Sequence, residues 1–275
     1  MNPHAPQSLQ PLAMVASFYK NRELILNLIR REVMGRYRGS AMGLLWSFFN
    51  PVFMLIVYTF VFSVVFKARW IGGGDSKVEF ALVLFTGLLV FNLFSEVINQ
   101  APSLILNNVN YVKKVIFPLE ILPVVALGAA LFHMCVSLIV WLIFFLVFFT
   151  LPSWTVLQLP LVLIPLVLMT LGLAWLFASL GVYLRDVGQI IGLVTMALMF
   201  LSPIFYPVAA LPMEYQNIMH FNPLTYIVED TRNVMIWGKN INWPLWSYWT
   251  ALSTLIAWLG FAWFQKTRKG FADAI

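Results

Sequence analysis

The sequence predicts an all-α integral membrane protein with six transmembrane helices, and three observations carry that reading. Of 275 residues, 61% are hydrophobic and 10% charged, at a mean hydropathy of +0.86; soluble domains run at about 45–50% apolar and about 25% charged. Most charged residues border long apolar runs rather than interrupting them. The runs approach the roughly 20 residues that a helix needs to cross about 30 Å of hydrocarbon. A soluble globule of this length could not hide so much apolar surface, which excludes a soluble enzyme, a disordered tail and a nucleic-acid module.

The uncharged stretches place spans at about 42–66, 80–101, 121–149, 160–182, 187–206 and 244–264. The stretch between Glu120 and Arg185 is too long for one helix, and Leu151-Pro152-Ser153 divides it. An even number of spans leaves both termini on one side. That side holds Lys20, Arg22, Arg30, Arg31, Arg36, Arg38, Lys113, Lys114, Arg185, Lys266, Arg268 and Lys269, against Lys67, Arg69, Lys77, Arg232 and Lys239 on the other. Twelve against five follows the positive-inside rule, so both termini are expected in the cytoplasm. No basic region followed by an apolar one opens the chain, and no cleaved signal peptide is expected. Neither an internal repeat nor a soluble domain is visible.

Residues 18–34 place Phe18, Ile25, Leu28, Ile29 and Val33 on one helical face and Lys20, Glu23, Asn27, Arg30 and Arg31 on the other. This predicts an amphipathic helix lying in the membrane interface, as an anchor or as a docking surface for a partner. Residues 102–120 are too polar to span. Pro102 can start a helix and Pro118 can end one; the piece reads as a solvated connector or as a helix gripped by a cytoplasmic subunit. Residues 207–243 combine Pro207, Pro212 and Pro223, and Pro244 at the exit, with many apolar and aromatic residues. Long structureless loops are uncommon, so short helices folding back into the membrane are expected there, or a small cap outside it.

The chain lacks the motifs of a self-sufficient enzyme or pump. Gly238-Lys239 is its only Gly-Lys pair and has no phosphate-loop context. His4, His133 and His220 are far apart and no H-E-x-x-H occurs, which argues against a zinc hydrolase, and no G-x-S-x-G elbow exists. The single Cys135 excludes an intrachain disulfide and a Cys-cluster metal site. Glu96, His133, Asn92, Asn99 and Gln100 are the polar groups at membrane depth, and along the chain they are scattered. His133 reads as a packing residue, whereas Glu96 is either functional or at a span boundary. Gly35, Gly39 and Gly43, and Gly188 and Gly192, have the spacing of close helix contacts; Gly35 and Gly39 could instead relieve the turn into the first span. Six spans are few to enclose a path, so oligomerisation is implied.

Four blocks resemble a family. They are GRYRGSAMGLLWSFFNPVFMLIVYTFVFSVVF (35–66), VKKVIFPLEILPVV (112–125), LGVYLRDVGQIIGLVTMALMFLSPIFYPV (180–208) and FNPLTYIVEDTRN (221–233). In this order they resemble ABC-2 type permeases for polysaccharide export, among them O-antigen, capsule and teichoic-acid exporters. The resemblance implies one transmembrane domain over 1–275, a permease homodimer and two separate ATP-binding cassette subunits. ATP and Mg would bind those subunits, and no cofactor is expected in this chain. It implies an interface helix at 18–34, a coupling helix at about 103–117 and re-entrant helices over 207–240. Asn107, Asn108, Tyr111, Lys113, Lys114, Arg30, Arg31, Arg185 and Asp186 become candidate contacts with the ATPase.

The expected cargo is a lipid-linked glycan, O-antigen before capsule or teichoic acid, in lipopolysaccharide biosynthesis at a bacterial inner membrane. A long polymer needs a path that binds weakly and repeatedly. Sugar C–H faces pack on aromatic rings while hydroxyls find polar tips, which selects Trp46, Phe49, Phe53, Tyr58, Phe200, Phe205 and Tyr206 in spans one and five. A permease for a lipid or a drug, and a membrane enzyme acting on a lipid-linked sugar, are the alternatives. The enzyme would require a clustered acid, base or metal site.

Overall fold

The computed structural model describes residues 11–65, 70, 77–113 and 117–275, and every regular element among them is a helix. Pro11–Lys20 (α1) and Arg22–Arg36 (α2) form the amphipathic lead. They break at Asn21, whose amide donates to the Ser17 carbonyl at 2.8 Å. Ile25, Leu28 and Val33 are buried, Phe18 and Ile29 pack beside them, and Glu23, Asn27, Arg30 and Arg31 face out. Gly39 and Gly43 turn the chain toward the first span with φ of 84° and 50°, a region costly for residues with a Cβ. Among the described residues of the single chain, no atom lies within 4 Å of where a Cβ on Gly35, Gly39 or Gly43 would stand, so Gly39 and Gly43 serve the turn and none of the three seats a helix contact within the chain.

Trp46–Tyr58 (α3) continues as a π-helical turn over Thr59–Val65. Then follow Lys77–Gln100 (α4), Val109–Lys113 (α5), Leu122–Phe148 (α6), Leu159–Tyr183 (α7) and Val187–Leu201 (α8). Met213–Met219 (α9) and Pro223–Met235 (α10) precede Trp243–Thr267 (α11) and Phe271–Ala274 (α12). Among the described residues, four helical segments are long and apolar enough to cross a membrane: Gly43–Phe62, Val78–Ser103, Leu119–Phe148 and Trp154–Tyr183. They coincide with the first four expected spans to within a few residues, except that Phe62 ends the first early and Trp154 starts the fourth early. The fifth expected span is shorter than foreseen. α8 has 15 residues, about 22 Å of helix, because Ser202 leaves the helix for extended backbone ahead of Pro203. The sixth, α11, has 25 residues, but its Trp, Tyr, Ser and Thr lower its hydropathy.

α4 is the central helix. It packs against α6, α7, α8 and α10, and its apolar stretch is 83% buried, against 6% for α3. α7 and α11 run together along most of their lengths. They meet backbone to backbone where a Cβ on Gly260 would strike the Gly172 carbonyl and one on Gly172 would strike Ile256. Trp175, fully buried in α7, stacks on Phe18 at 5.9 Å and meets Phe261 edge-on at 5.3 Å. The lead helix thereby joins the α7–α11 pair.

The two ends of the bundle differ. One end, here the basal end, carries α1, α2, α5 and the C-terminus. There Glu120, 4% exposed, accepts from Ser17 Oγ at 2.9 Å and from Arg268 Nη1 at 2.7 Å, while Arg268 Nη2 donates to the Phe117 carbonyl at 2.7 Å. Segments 148 residues apart are held by one carboxylate. The opposite, distal end carries the α6–α7 loop and residues 203–242. Thr155 Oγ1 donates to the Val234 carbonyl at 2.7 Å and Gln158 Nε2 to Asn240 Oδ1 at 2.8 Å.

Because the α7–α11 contact is made by backbone, Gly260→Val is expected to cost at least about 1–3 kcal/mol and to lower the thermal midpoint of the detergent-solubilised protein. Gly192→Val, whose Cβ meets nothing, is expected to leave that midpoint unchanged.

Candidate functional site

The aromatic candidates of spans one and five fall on two exposed faces that join near the distal end. Trp46, Phe49 and Phe53 stand out from α3, and Phe200 from α8. Tyr58, Phe205 and Tyr206 are half-buried. Phe205 stacks on Phe200 at 5.6 Å and on Phe62 at 5.4 Å, and Phe62 stands 6.4 Å from Tyr58. Tyr206 donates to the Phe200 carbonyl at 2.9 Å. Phe62, which spacing alone did not single out, is thus the ring that connects the two helices. The π-helical turn positions it: Thr59 Oγ1 donates to the Leu55 carbonyl at 2.6 Å, a back-bond that bends helices. Trp46 and Phe49 lie toward the basal end, separate from this stack.

The basal surface gathers most of the coupling candidates. Residues 101–113 form short 3₁₀ turns and the single α turn α5, not one continuous helix. Pro102, which lacks a backbone donor, and Asn108, whose Nδ2 donates to the Leu104 carbonyl at 2.8 Å, account for the break. Arg31 Nη1 donates to Tyr111 Oη at 2.8 Å, and Tyr111 stacks on Phe117 at 4.2 Å. Gln100 Nε2 donates to Glu32 Oε1 at 3.1 Å. Between these contacts lies a cavity of about 220 Å³ lined by Arg31, Glu32, Gln100, Asn107 and Asn108. Arg30, Lys113, Arg185 and Asp186 are exposed, and Arg185 and Asp186 make no ion pair with each other among the described residues. Lys114 lies outside the described residues.

Several polar groups that look scattered along the chain converge in space. Glu96 Oε1 lies 2.7 Å from Arg36 Nη1 and 2.9 Å from His133 Nδ1. They line a cavity of about 360 Å³ with Tyr37, Asn50, Asn92 and Ser137, and His133 Nε2 is buried without a partner. Burial raises the Tyr37 phenol above its usual range. Asn99 instead accepts from Thr195 at 2.9 Å, and Gln100 belongs to the basal surface. The Glu96–His133–Arg36 grouping joins the lead helix to spans two and three and offers no nucleophile–base pair. His133 is therefore more than the packing residue its sequence context suggests. Its partners stand 37 and 97 residues away, beyond any local pattern.

The distal end holds Arg232, one of the five basic residues assigned to the side opposite the termini, and it is 2% exposed. Its Nε donates to the Val83 carbonyl at 3.1 Å, Nη1 to Pro203 at 2.5 Å and Nη2 to Ile204 at 2.7 Å, and the guanidinium lies 4.3 Å from the Trp70 ring centroid. Burial pulls its pKa down to about 9, which leaves it charged at neutral pH. Beside it Tyr226 donates to Asp230 Oδ2 at 2.8 Å, and burial raises the Asp230 and Glu229 carboxyls. Asn222 caps α10 by accepting from Leu224 N at 3.0 Å and donates to Ser202 Oγ at 3.0 Å. The break after α8 and the start of α10 are therefore one structural unit.

Comparison with known sequences gives a consistent picture. The profile of the family described as ABC-2 type transporter matches residues 23–236. The chain is 26% identical to the O-antigen export system permease protein RfbA of Myxococcus xanthus, over 96% of this chain and all of that protein. It is 24% identical to the protein of the same name in Klebsiella pneumoniae, over 92% of this chain and 95% of the relative. With the polysialic acid transport protein KpsM of Escherichia coli it shares 24% identity over 77% of this chain and 80% of that one.

Replacing Arg232 by lysine leaves one flexible ammonium for three carbonyls that a planar fork now holds. Each buried acceptor left unpaired costs about 1–3 kcal/mol. Arg232→Lys is expected to lower the thermal midpoint, with Arg232→Met lowering it further; equal midpoints for wild type and Arg232→Met would overturn the clamp.

Proposed function

We propose, from the premise that the chain belongs to the ABC-2 type transporter family, that it is the permease subunit of an ABC exporter for a lipid-linked polysaccharide, with O-antigen the preferred cargo. The observation that carries this reading is the match to two permeases named for O-antigen export over nearly the whole chain. The match to a protein named for polysialic acid transport favours capsular polysaccharide as the second reading. The chain itself is a transporter subunit and not an enzyme; ATP and Mg belong to a separate cassette subunit.

In this reading α8 with the extended residues after it, and α11, complete six spans, while α9 and α10 re-enter the outer half of the membrane. Irregular backbone at that depth must be satisfied by protein, and Arg232 supplies donors for it. The basal end faces the cytoplasm, following its excess of Lys and Arg, and the membrane is the bacterial inner membrane. α3 leaves most of its apolar and aromatic surface uncovered, which suits a homodimer whose two copies place α3 and α8 along a shared path. Rings at intervals give a glycan successive weak contacts rather than one tight site. Arg30, Lys113, Arg185 and Asp186 offer the cassette subunit charges that no ion pair among the described residues occupies, while Arg31–Tyr111 stiffens the surface beneath them.

Removing the chain from its host is expected to abolish surface glycan and to trap lipid-linked glycan inside. A tagged copy purified in gentle detergent is expected to bring an ATPase in equal stoichiometry. Unchanged surface glycan in the deletion strain overturns the reading. Two site predictions follow. The double reversal Arg30→Glu/Lys113→Glu should reduce ATPase co-purification several-fold without lowering membrane abundance. Phe62→Ala/Phe205→Ala should reduce export several-fold with the ATPase still bound; normal export would place the path elsewhere.

A further inference from the structure

The distal end holds a cavity of about 200 Å³ that the clamp does not fill. It is lined by Trp70, Pro207, Glu229, Arg232, Asn233 and Trp237. Pockets for drug-sized ligands run at roughly 300–1,000 Å³, so this one suits something nearer a single sugar ring. Its lining separates into two kinds. Arg232 and Trp70 are both buried and occupied with each other and with three carbonyls. Glu229, Asn233 and Trp237 are only partly buried and stand on or just after successive turns of α10. The Glu229 carboxylate has no hydrogen bond among the described residues. The Asn233 amide makes one long contact, 3.4 Å to Asp230 Oδ1.

An indole face beside a carboxylate and a primary amide is a complete set for one pyranose. The ring carbons pack on Trp237, hydroxyl protons are accepted by Glu229, and Asn233 both donates and accepts. The charge balance narrows the ligand. Glu229 and Arg232 carry opposite charges in the same cavity, and the Arg232 donors are spent on backbone carbonyls. The lining therefore has no net charge to draw in an anionic or a cationic ligand. A neutral sugar needs none.

We propose that Trp237, Glu229 and Asn233 form a subsite for a neutral sugar ring at the distal end, where the glycan leaves the chain. The ligand class rests on the export reading above, but the cavity and its side chains do not. The subsite would hold emerging glycan between strokes and disfavour its return. Its position on α10, the helix clamped by Arg232, gives it a rigid base.

The test uses the full-length chain with its ATPase partner in lipid nanodiscs and saturation-transfer NMR. The probes are the methyl glycosides of glucose, galactose, mannose and rhamnose, with methyl glucuronoside as the charged control. Transfer to at least one neutral glycoside is expected, with none to glucuronoside. Trp237→Leu and Asn233→Leu should each weaken it by roughly tenfold, the loss expected when one good contact goes, and Trp237→Phe should retain most of it. Thermal midpoints verify folding, and where Trp237→Leu fails to fold, Asn233→Leu decides. No transfer to any neutral glycoside, transfer unchanged in the folded leucine variants, or stronger transfer to glucuronoside overturns the subsite. Intact surface glycan after deletion of the chain overturns the export reading alone, since binding is read without export.

Discussion

Carbonyl groups that lie beyond a helix end yet stay buried have neither a helical partner nor water to bond, and the fold answers that constraint with one arginine. α8 ends after 15 residues, and the chain that follows exposes the Pro203 and Ile204 carbonyls. Arg232 reaches both, and Val83 on α4 as well. A neutral donor could satisfy one acceptor; the guanidinium presents five N–H groups in a fixed plane. Because it comes from α10, satisfying the break also fixes where α10 lies, and with it Glu229, Asn233 and Trp237. Removal of this one side chain would free the end of span five, the distal end of span two and α10 together.

The basal end is organised by carboxylates instead. Glu120 collects Ser17 and Arg268, and Glu96 collects Arg36 and His133. Each pairs the lead helix, or the turn that follows it, with a long helix of the bundle. Surface ion pairs contribute only about 0–1 kcal/mol, but Glu120 is 4% exposed, and removing one partner from a buried pair leaves a costly bare charge. The lead is thus bonded near one end to Glu120 and Arg268 and at the other to α4 and α6. Motion of a partner docked on α2 or α5 has a mechanical route to α4 and α6.

The parts visible in the sequence are those set by local pattern. The apolar face of residues 18–34 follows from a period of 3.6, and Ile25, Leu28 and Val33 are the residues it buries. The first four spans follow from hydropathy and length. The expected span five runs past the helix because the stretch stays uncharged beyond Leu201; Pro203, which pushes Ser202 to extended backbone, is the signal that marks the true end. The close helix contacts were sought at Gly188 and Gly192, four apart, whereas the glycines that touch, Gly172 and Gly260, lie on different helices with no shared spacing. The charge count gives Arg232 a side of the membrane but no depth; its neighbours Val228, Val234 and Met235, all buried, are the available sign. Glu96, His133 and Arg36 could be found singly but not as a group, since nothing local links residues so far apart.

The last constraint concerns the helix the monomer does not bury. α3 buries Leu55 and little else, and lipid accepts such a surface without penalty, because acyl chains are as apolar as the side chains. Exposure alone therefore does not require a partner. Composition argues further: α3 carries Ser47 and Asn50 in its first turn and Pro51 just after them, all lining the cavity of Glu96 and His133, and Pro51 removes the donor that would satisfy the Ser47 carbonyl. Polar groups and a broken ladder are poor lipid surface but good lining for a wet path. A single chain offers one wall of such a path, from α3 to α8 through Phe62 and Phe205. In the homodimer proposed above, a second copy of the same wall, related by a twofold axis along the membrane normal, would close such a path with no further sequence. That arrangement would also account for aromatic rings on a face that the monomer leaves open.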